Sequence, residues 1–93
     1  MEIRLTSHAL QRASERGASE SEIVNVLESG FSTPAKYGRL GKAKMFNYDH
    51  CRAGRWYSQK RVEVYYAIEG DVVLVITVYV FYGEWETTDE SPV

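Results

Sequence analysis

Cysteine occurs once in these 93 residues, at Cys51, so no internal disulfide can brace the fold, and a lone thiol suits a reducing compartment. The opening stretch, 1–11, has no apolar core of a secretory leader, and the expected location is the cytoplasm. Long hydrophobic runs are missing too. The best of them, Val72 to Tyr82, is broken by Thr77 and falls well short of the roughly 20 residues that cross a bilayer, so no partner membrane is expected. Gly38 and Gly41 lie in no phosphate-binding loop, since neither is followed by the Lys-Ser/Thr pair that such a loop needs. Asp49-His50-Cys51 groups three ligand types without the C-x-x-C or H-x-x-x-H spacing of a zinc site, and neighbours in a strand point to opposite faces. No metal and no cofactor is therefore expected.

What is present is the make-up of an ordinary globule, 44% hydrophobic and 26% charged. A chain this short buries only about 60% of its unfolded surface, which leaves room for one core. One domain is expected over residues 1–85, with 86–93 an acidic tail that frays. The formal charge of -2 conceals three blocks. Residues 1–35 carry a net -2, residues 36–61 set eight basic groups against Asp49 alone for +7, and from Val62 onward seven carboxylates meet no Lys or Arg, a net -7. A cationic middle between acidic flanks favours a polyanion or an acidic partner, or else simply solvates the surface.

Glu2 to Leu5 suits a short strand. Thr6 or Ser7 then caps a helix to Arg16, with Gly17 just past its end; Ala9, Leu10 and Ala13 fall on one face, and His8, Arg12 and Glu15 on the other with Arg16 at the flank. Ser19 and Glu22 spell a capping box, and Ile23, Val24, Val26 and Leu27 follow at helical spacing up to Gly30. Phe31 to Gly41 reads as an irregular connection with room for one edge strand. Lys44 to Tyr48 alternates weakly. Arg61 to Glu69 alternates well, with Val62, Val64, Tyr66 and Ile68 on one face, and Gly70-Asp71 makes a two-residue turn into Val72 to Tyr82. That last strand is apolar on both faces, as befits a central strand under helices on one side and a loop, ligand or second subunit on the other. The expected class is α+β, an N-terminal helical hairpin packed on a twisted antiparallel sheet of roughly three to five strands.

The run His8-Ala9-Leu10-Gln11-Arg12-Ala13-Ser14-Glu15-Arg16-Gly17-Ala18-Ser19 resembles the H-A-x-x-R-x-x-x-R-G-x-S signature of a bacterial family, the domain of unknown function 4258. Glu22 to Gly30 is similar to its E-x-x-x-x-L-x-x-G stretch, and Val75 to Tyr79 to its V-I-T-V-Y strand. The resemblance implies a helical pair on an antiparallel sheet like that of the RelE-like and colicin-D-like ribonucleases of toxin systems, which work without metal. It also implies an antitoxin as a protein partner. The basic, aromatic-rich segment from Tyr37 to Arg61 departs from the typical member.

Cutting RNA without a metal needs a base for the 2′-hydroxyl, an acid for the leaving 5′ oxygen and cationic donors for the phosphoryl oxygens. On the first helix His8 offers an imidazole, while Arg12 and Arg16, each one turn further on, offer planar forks for phosphate. Glu15 is an alternative base, and Thr77 and Tyr79, two apart on the last strand, could turn their hydroxyls to the same cleft. The expected substrate track for single-stranded RNA is Arg39, Lys42, Lys44, Arg52, Arg55, Trp56, Tyr57 and Lys60, cations interleaved with stacking rings. The expected function is thus a small RNA-binding domain and metal-independent endoribonuclease. The alternative is a non-catalytic interaction module, a homodimer whose exposed strand face and charge asymmetry dock a protein partner, an assembly that a charge at Val73 or Val75 would break.

Overall fold

The computed structural model describes residues 1–85, and the tail expected over 86–93 lies outside them. In chain order the elements are β1 (Glu2–Leu5), α1 (Ser7–Arg16), α2 (Glu20–Ser29), β2 (Phe31–Ser32), β3 (Leu40–Arg52), β4 (Arg55–Glu69) and β5 (Val72–Gly83). The five strands form one sheet in the order β1-β5-β4-β3-β2. The class is α+β as expected, but two features of the expected architecture are corrected. The sheet is mixed, because β1 runs parallel to β5. The helices do not form a hairpin either: α1 lies along β5 and β1, and α2 separately against β4 and β3. The link of three residues, 17–19, turns sharply enough at Gly17 (φ 93°) that each helix meets the sheet alone.

Both helices start and stop where their caps say they should. The Thr6 hydroxyl accepts from Ala9 N–H at 3.0 Å, and Gly17 in the left-handed region sends its N–H to Ala13 O at 2.9 Å. Ser19 and Glu22 close a reciprocal capping box. Gly30 ends α2 for a different reason: its backbone is extended, and a Cβ there would stand 2.7 Å from Ala43 O on β3. Ala9, Ala13, Ile23 and Val26 from the helices bury against Val62, Val64, Tyr66, Val73, Val75 and Val78. Each fully buried Val or Ile contributes about 1.5–3 kcal/mol. Leu10 and Ile68, expected with this set, are exposed, since α1 offers the sheet its alanines and Ile68 lies near the free end of the hairpin.

The segment 49–60, for which no strand is expected, is the outer half of a long β3–β4 hairpin. Its turn is Ala53-Gly54, both at positive φ (53° and 80°), the pair of left-handed residues that a tight hairpin needs. The second hairpin, β4–β5, turns at Gly70-Asp71 as expected, Glu69 pairing with Val72.

β5 contains the feature that shapes the rest. Tyr65 pairs with Thr77 but Tyr66 pairs with Val75, so Ile76 is an extra residue, a β-bulge. The bulge reverses the alternation. Val73 and Val75 face the helices before it and Val78 after it, while Thr77, Tyr79 and Phe81 turn to the opposite face. Val73 and Val75 are therefore core residues and not the exposed strand face on which assembly was expected to rest; a charge at either would disrupt the core itself.

Candidate functional site

β1 accompanies β5 only as far as Val75, and from there α1 takes its place along the strand edge. Thr6 donates its N–H to Val75 O at 3.1 Å and its hydroxyl to Ile76 O at 3.3 Å. At the other end of the helix Arg16 Nη1 donates to Val78 O at 2.7 Å, and the Tyr82 hydroxyl donates to Arg16 O at 2.6 Å. Carbonyls that a missing strand would leave bare are thus satisfied by the helix, and the side chains at 8, 12 and 16 line up beside the sheet face that the helices leave open.

Four of the five catalytic candidates meet there in pairs. His8 is exposed, and its Nε2 stands 3.4 Å from Thr77 Oγ1, either atom donating according to the tautomer. The Arg16 guanidinium lies over the Tyr79 ring, 4.6 Å from its centre, a cation held by both a ring face and a backbone carbonyl. Arg12, between them on the helix, donates from Nη1 to Glu15 Oε1 at 3.0 Å. Gln11 bonds the same carboxyl and, with Arg12, lowers it from the ordinary glutamate range, so Glu15 is held as a carboxylate that orients Arg12.

Thr77 and Tyr79 form part of the floor of a groove whose far wall is the loop before β3, with Lys36, Tyr37 and Arg39. Tyr65 completes the floor, and it is a residue that the sequence reading passed over. Its ring meets Tyr79 edge-on at 5.8 Å, and its hydroxyl donates to Glu63 Oε1 at 2.8 Å. Glu63 in turn accepts from Arg61 Nε at 2.7 Å. Burial and this bond to Glu63 push the Tyr65 phenol up to about 12, so it stays neutral with its proton committed to Glu63 and only its lone pairs open to a ligand. The signal was available in the alternation: Arg61, Glu63 and Tyr65 are the partners, on the other face, of Val62, Val64 and Tyr66.

The eight residues of the expected substrate track divide among three places. Arg39 alone is at the groove. Lys42, Lys44, Arg52 and Lys60 point to the helix-bearing side and hold the helices down. Lys42 donates to Leu27 O at 2.8 Å, and Lys44 reaches Asn25 and Ser29. Arg52 donates to Glu15 O at 3.1 Å and lies over the Tyr82 ring, while the buried Lys60 bonds Gly17 O at 2.7 Å and Glu22 at 2.9 Å. Arg55 and Trp56 are exposed at the β3–β4 tip, where Tyr57 packs on Tyr82 with ring centres 5.7 Å apart.

No helix among the described residues is long and apolar enough to cross a membrane. No curated protein and no solved structure matches the chain. A family model described as "Domain of unknown function (DUF4258)" matches residues 5–80, a span that runs from the last residue of β1 to Val80 within the floor strand β5. With the helix of His8, Arg12 and Arg16 and the strand of Thr77 and Tyr79 both inside the matched region, the chain belongs to the DUF4258 family.

Proposed function

We propose that this protein is a metal-independent endoribonuclease of the RelE-like kind, working in the cytoplasm on single-stranded RNA in the groove between α1 and the loop 33–39. The observation that carries the proposal is the pairing of His8 with Thr77 and of Arg16 with Tyr79 on one strand face, opposite two exposed cations. A phosphodiester lying along the groove meets Lys36 and Arg39, and a chain that continues past Thr77 and Tyr79 to α1 would meet Arg16 and Arg12. Their donors match its oxygens and the charge that grows on them during transfer. His8 takes the 2′-hydroxyl proton as that oxygen attacks the adjacent phosphorus. The bond to the 5′ oxygen breaks, and the 5′ oxygen leaves with a proton from the imidazolium or from water. The products are a 2′,3′-cyclic phosphate and a 5′-hydroxyl. Tyr65, its own proton given to Glu63, accepts from a sugar hydroxyl or a base N–H.

The test is incubation of purified protein with single-stranded RNA in excess chelator. Wild type should cut and a His8→Ala, Arg12→Ala double variant should not; equal rates would end the catalytic assignment. Growth arrest on expression, relieved in the same variant, is the cellular counterpart, and an antitoxin covering the groove would be its protein partner.

The second proposal, a non-catalytic homodimer, is favoured by one feature. Phe31, Tyr79 and Phe81 are each more than two-fifths exposed on the open face. Phe81→Asp should then convert a dimer to a monomer in light scattering while leaving the fold intact.

A further inference from the structure

Tyr37 sits at φ 61° at the tip of a turn closed by Arg39 N–H donating to Lys36 O at 3.2 Å, followed by Gly38 at φ 72°. The left-handed region disfavours any residue with a Cβ and a bulky one most of all; Gly, Asn or Asp would occupy this position with less strain. The ring gives nothing back to the fold, for it is 87% exposed, the most exposed of the large hydrophobic side chains among the described residues. It nevertheless lines the groove, facing a floor of Tyr65, Thr77 and Tyr79, and on either side of it stand Lys36 and Arg39, exposed and in no ion pair among the described residues. The floor rings are already engaged. Tyr79 has Arg16 over its face and Phe81 stacked beside it, and Tyr65 is paired with Tyr79 at an interplanar angle of 81°. Of the aromatic rings at the groove, Tyr37 is the most exposed and the one in no aromatic or cation–π pair among the described residues.

We infer that Tyr37 is the stacking platform for one unpaired nucleobase, with Lys36 and Arg39 holding the phosphates on either side of that nucleotide. The inference rests on the reading of the groove as an RNA site and adds its base subsite. It moves that role from the hairpin-tip pair Trp56 and Tyr57, which the sequence favoured, to the turn. A flat, exposed ring between two cations suits a nucleotide with its base splayed out, since any base can offer a π-face and the flanking charges track the backbone. A paired base cannot stack this way, so the subsite selects single strands.

The experiment uses the full chain and a short single-stranded RNA carrying 2-aminopurine at one central position, with binding read by anisotropy and stacking by the fluorescence of the analogue. Wild type and Tyr37→Phe should bind alike and change the fluorescence. Tyr37→Ala and Tyr37→Gly should bind about tenfold more weakly and leave the fluorescence unchanged. Tyr37→Gly removes backbone strain, so its melting temperature should equal or exceed that of wild type, and lost binding cannot then be blamed on unfolding. Wild type that binds RNA with Tyr37→Gly matching it in affinity and fluorescence overturns this inference and leaves the groove's function standing. A fluorescence change lost in Trp56→Ala and not in Tyr37→Ala overturns it in favour of the hairpin tip. Wild type that fails to bind at low salt overturns the function and the subsite together.

Discussion

His8 Nε2 on the first helix stands 3.4 Å from Thr77 Oγ1 on the last strand, across 69 residues of sequence. The contact is long and at the surface, so a substrate hydroxyl can sit beside the pair within hydrogen-bond reach of both groups. In an RNA-cleaving protein, His8→Ala should lower the rate by about 10²–10⁴-fold, the usual worth of a positioned proton-transfer group. Thr77→Val should cost about tenfold, the scale of one hydrogen bond. Single-turnover cleavage checks both, and unchanged melting temperatures would tie the losses to chemistry.

If the groove is the proposed RNA site, the division of the cations between the two sheet faces should separate binding from stability. Arg39→Gln should reduce the slope of log affinity against log salt by about one unit, the loss of one phosphate contact. Lys44→Gln should leave that slope alone, because Lys44 faces Asn25 and Ser29 on α2. Equal effects from the two would place RNA on the helix-bearing side.

Lys60 is 7% exposed and bridges Gly17 O to Glu22. Lys60→Met would leave both acceptors without it and should cost about 2 kcal/mol, the scale of a lost charged hydrogen bond and less than a fully buried pair because Glu22 still reaches solvent. Burial works to raise the Glu22 carboxyl, but the bonds from Lys60 and Ser19 outweigh it and leave the carboxyl below its ordinary 4.5. A lowered folded value means that the contribution is whole above that ordinary value and fades as pH falls through the folded one. Urea melts at neutral pH and in acid should show the gap between wild type and Lys60→Met narrowing in acid.

Tyr65 should be among the last tyrosines to ionise. Its phenol is raised to about 12, so the stability linked to its proton is whole below the ordinary value near 10 and fades as pH climbs through 12. Glu63→Gln removes the neighbouring negative charge and should bring the ionisation down toward the ordinary value, read as phenolate absorbance in an alkaline titration.

At Gly17 two demands coincide: φ is 93°, and a Cβ would overlap the Tyr82 hydroxyl and approach Arg52 Nη1 to 3.2 Å. Gly17→Ala should destabilise by about 1–3 kcal/mol and be seen in thermal melts.

Local signals predicted the helices well because their caps lie within a few residues of one another: Thr6 with Ala9, Ser19 with Glu22, Gly17 with Ala13. The β4–β5 turn was legible for the same reason. What escaped was set by distant pairing. The parallel contact of β1 with β5 spans the chain, and Ala53-Gly54 is a weak turn signal beside Asn-Gly. The bulge at Ile76 is invisible in a stretch apolar at nearly every position, where either alternation fits. Thr77 and Tyr79 do share a face, yet that it is the face away from the core follows only from the bulge. The charge block showed that cations were abundant between 36 and 61, but a strand sends alternate side chains to opposite sides, which took Lys42, Lys44 and Lys60 to the helices.

The four hydrogen bonds that moor α1 to β5, two at each end, fix the helix at both termini. His8 and Arg12 thus ride on a rail and not on a lid. A ligand would find these groups already in register, would lose little freedom to their ordering, and would associate without waiting for a rearrangement. On the proposed reading of the groove as an RNA site, whatever blocks it must match its contour as it stands, so an inhibitor would be a rigid, anionic wedge in preference to a molecule that relies on the helix to close around it.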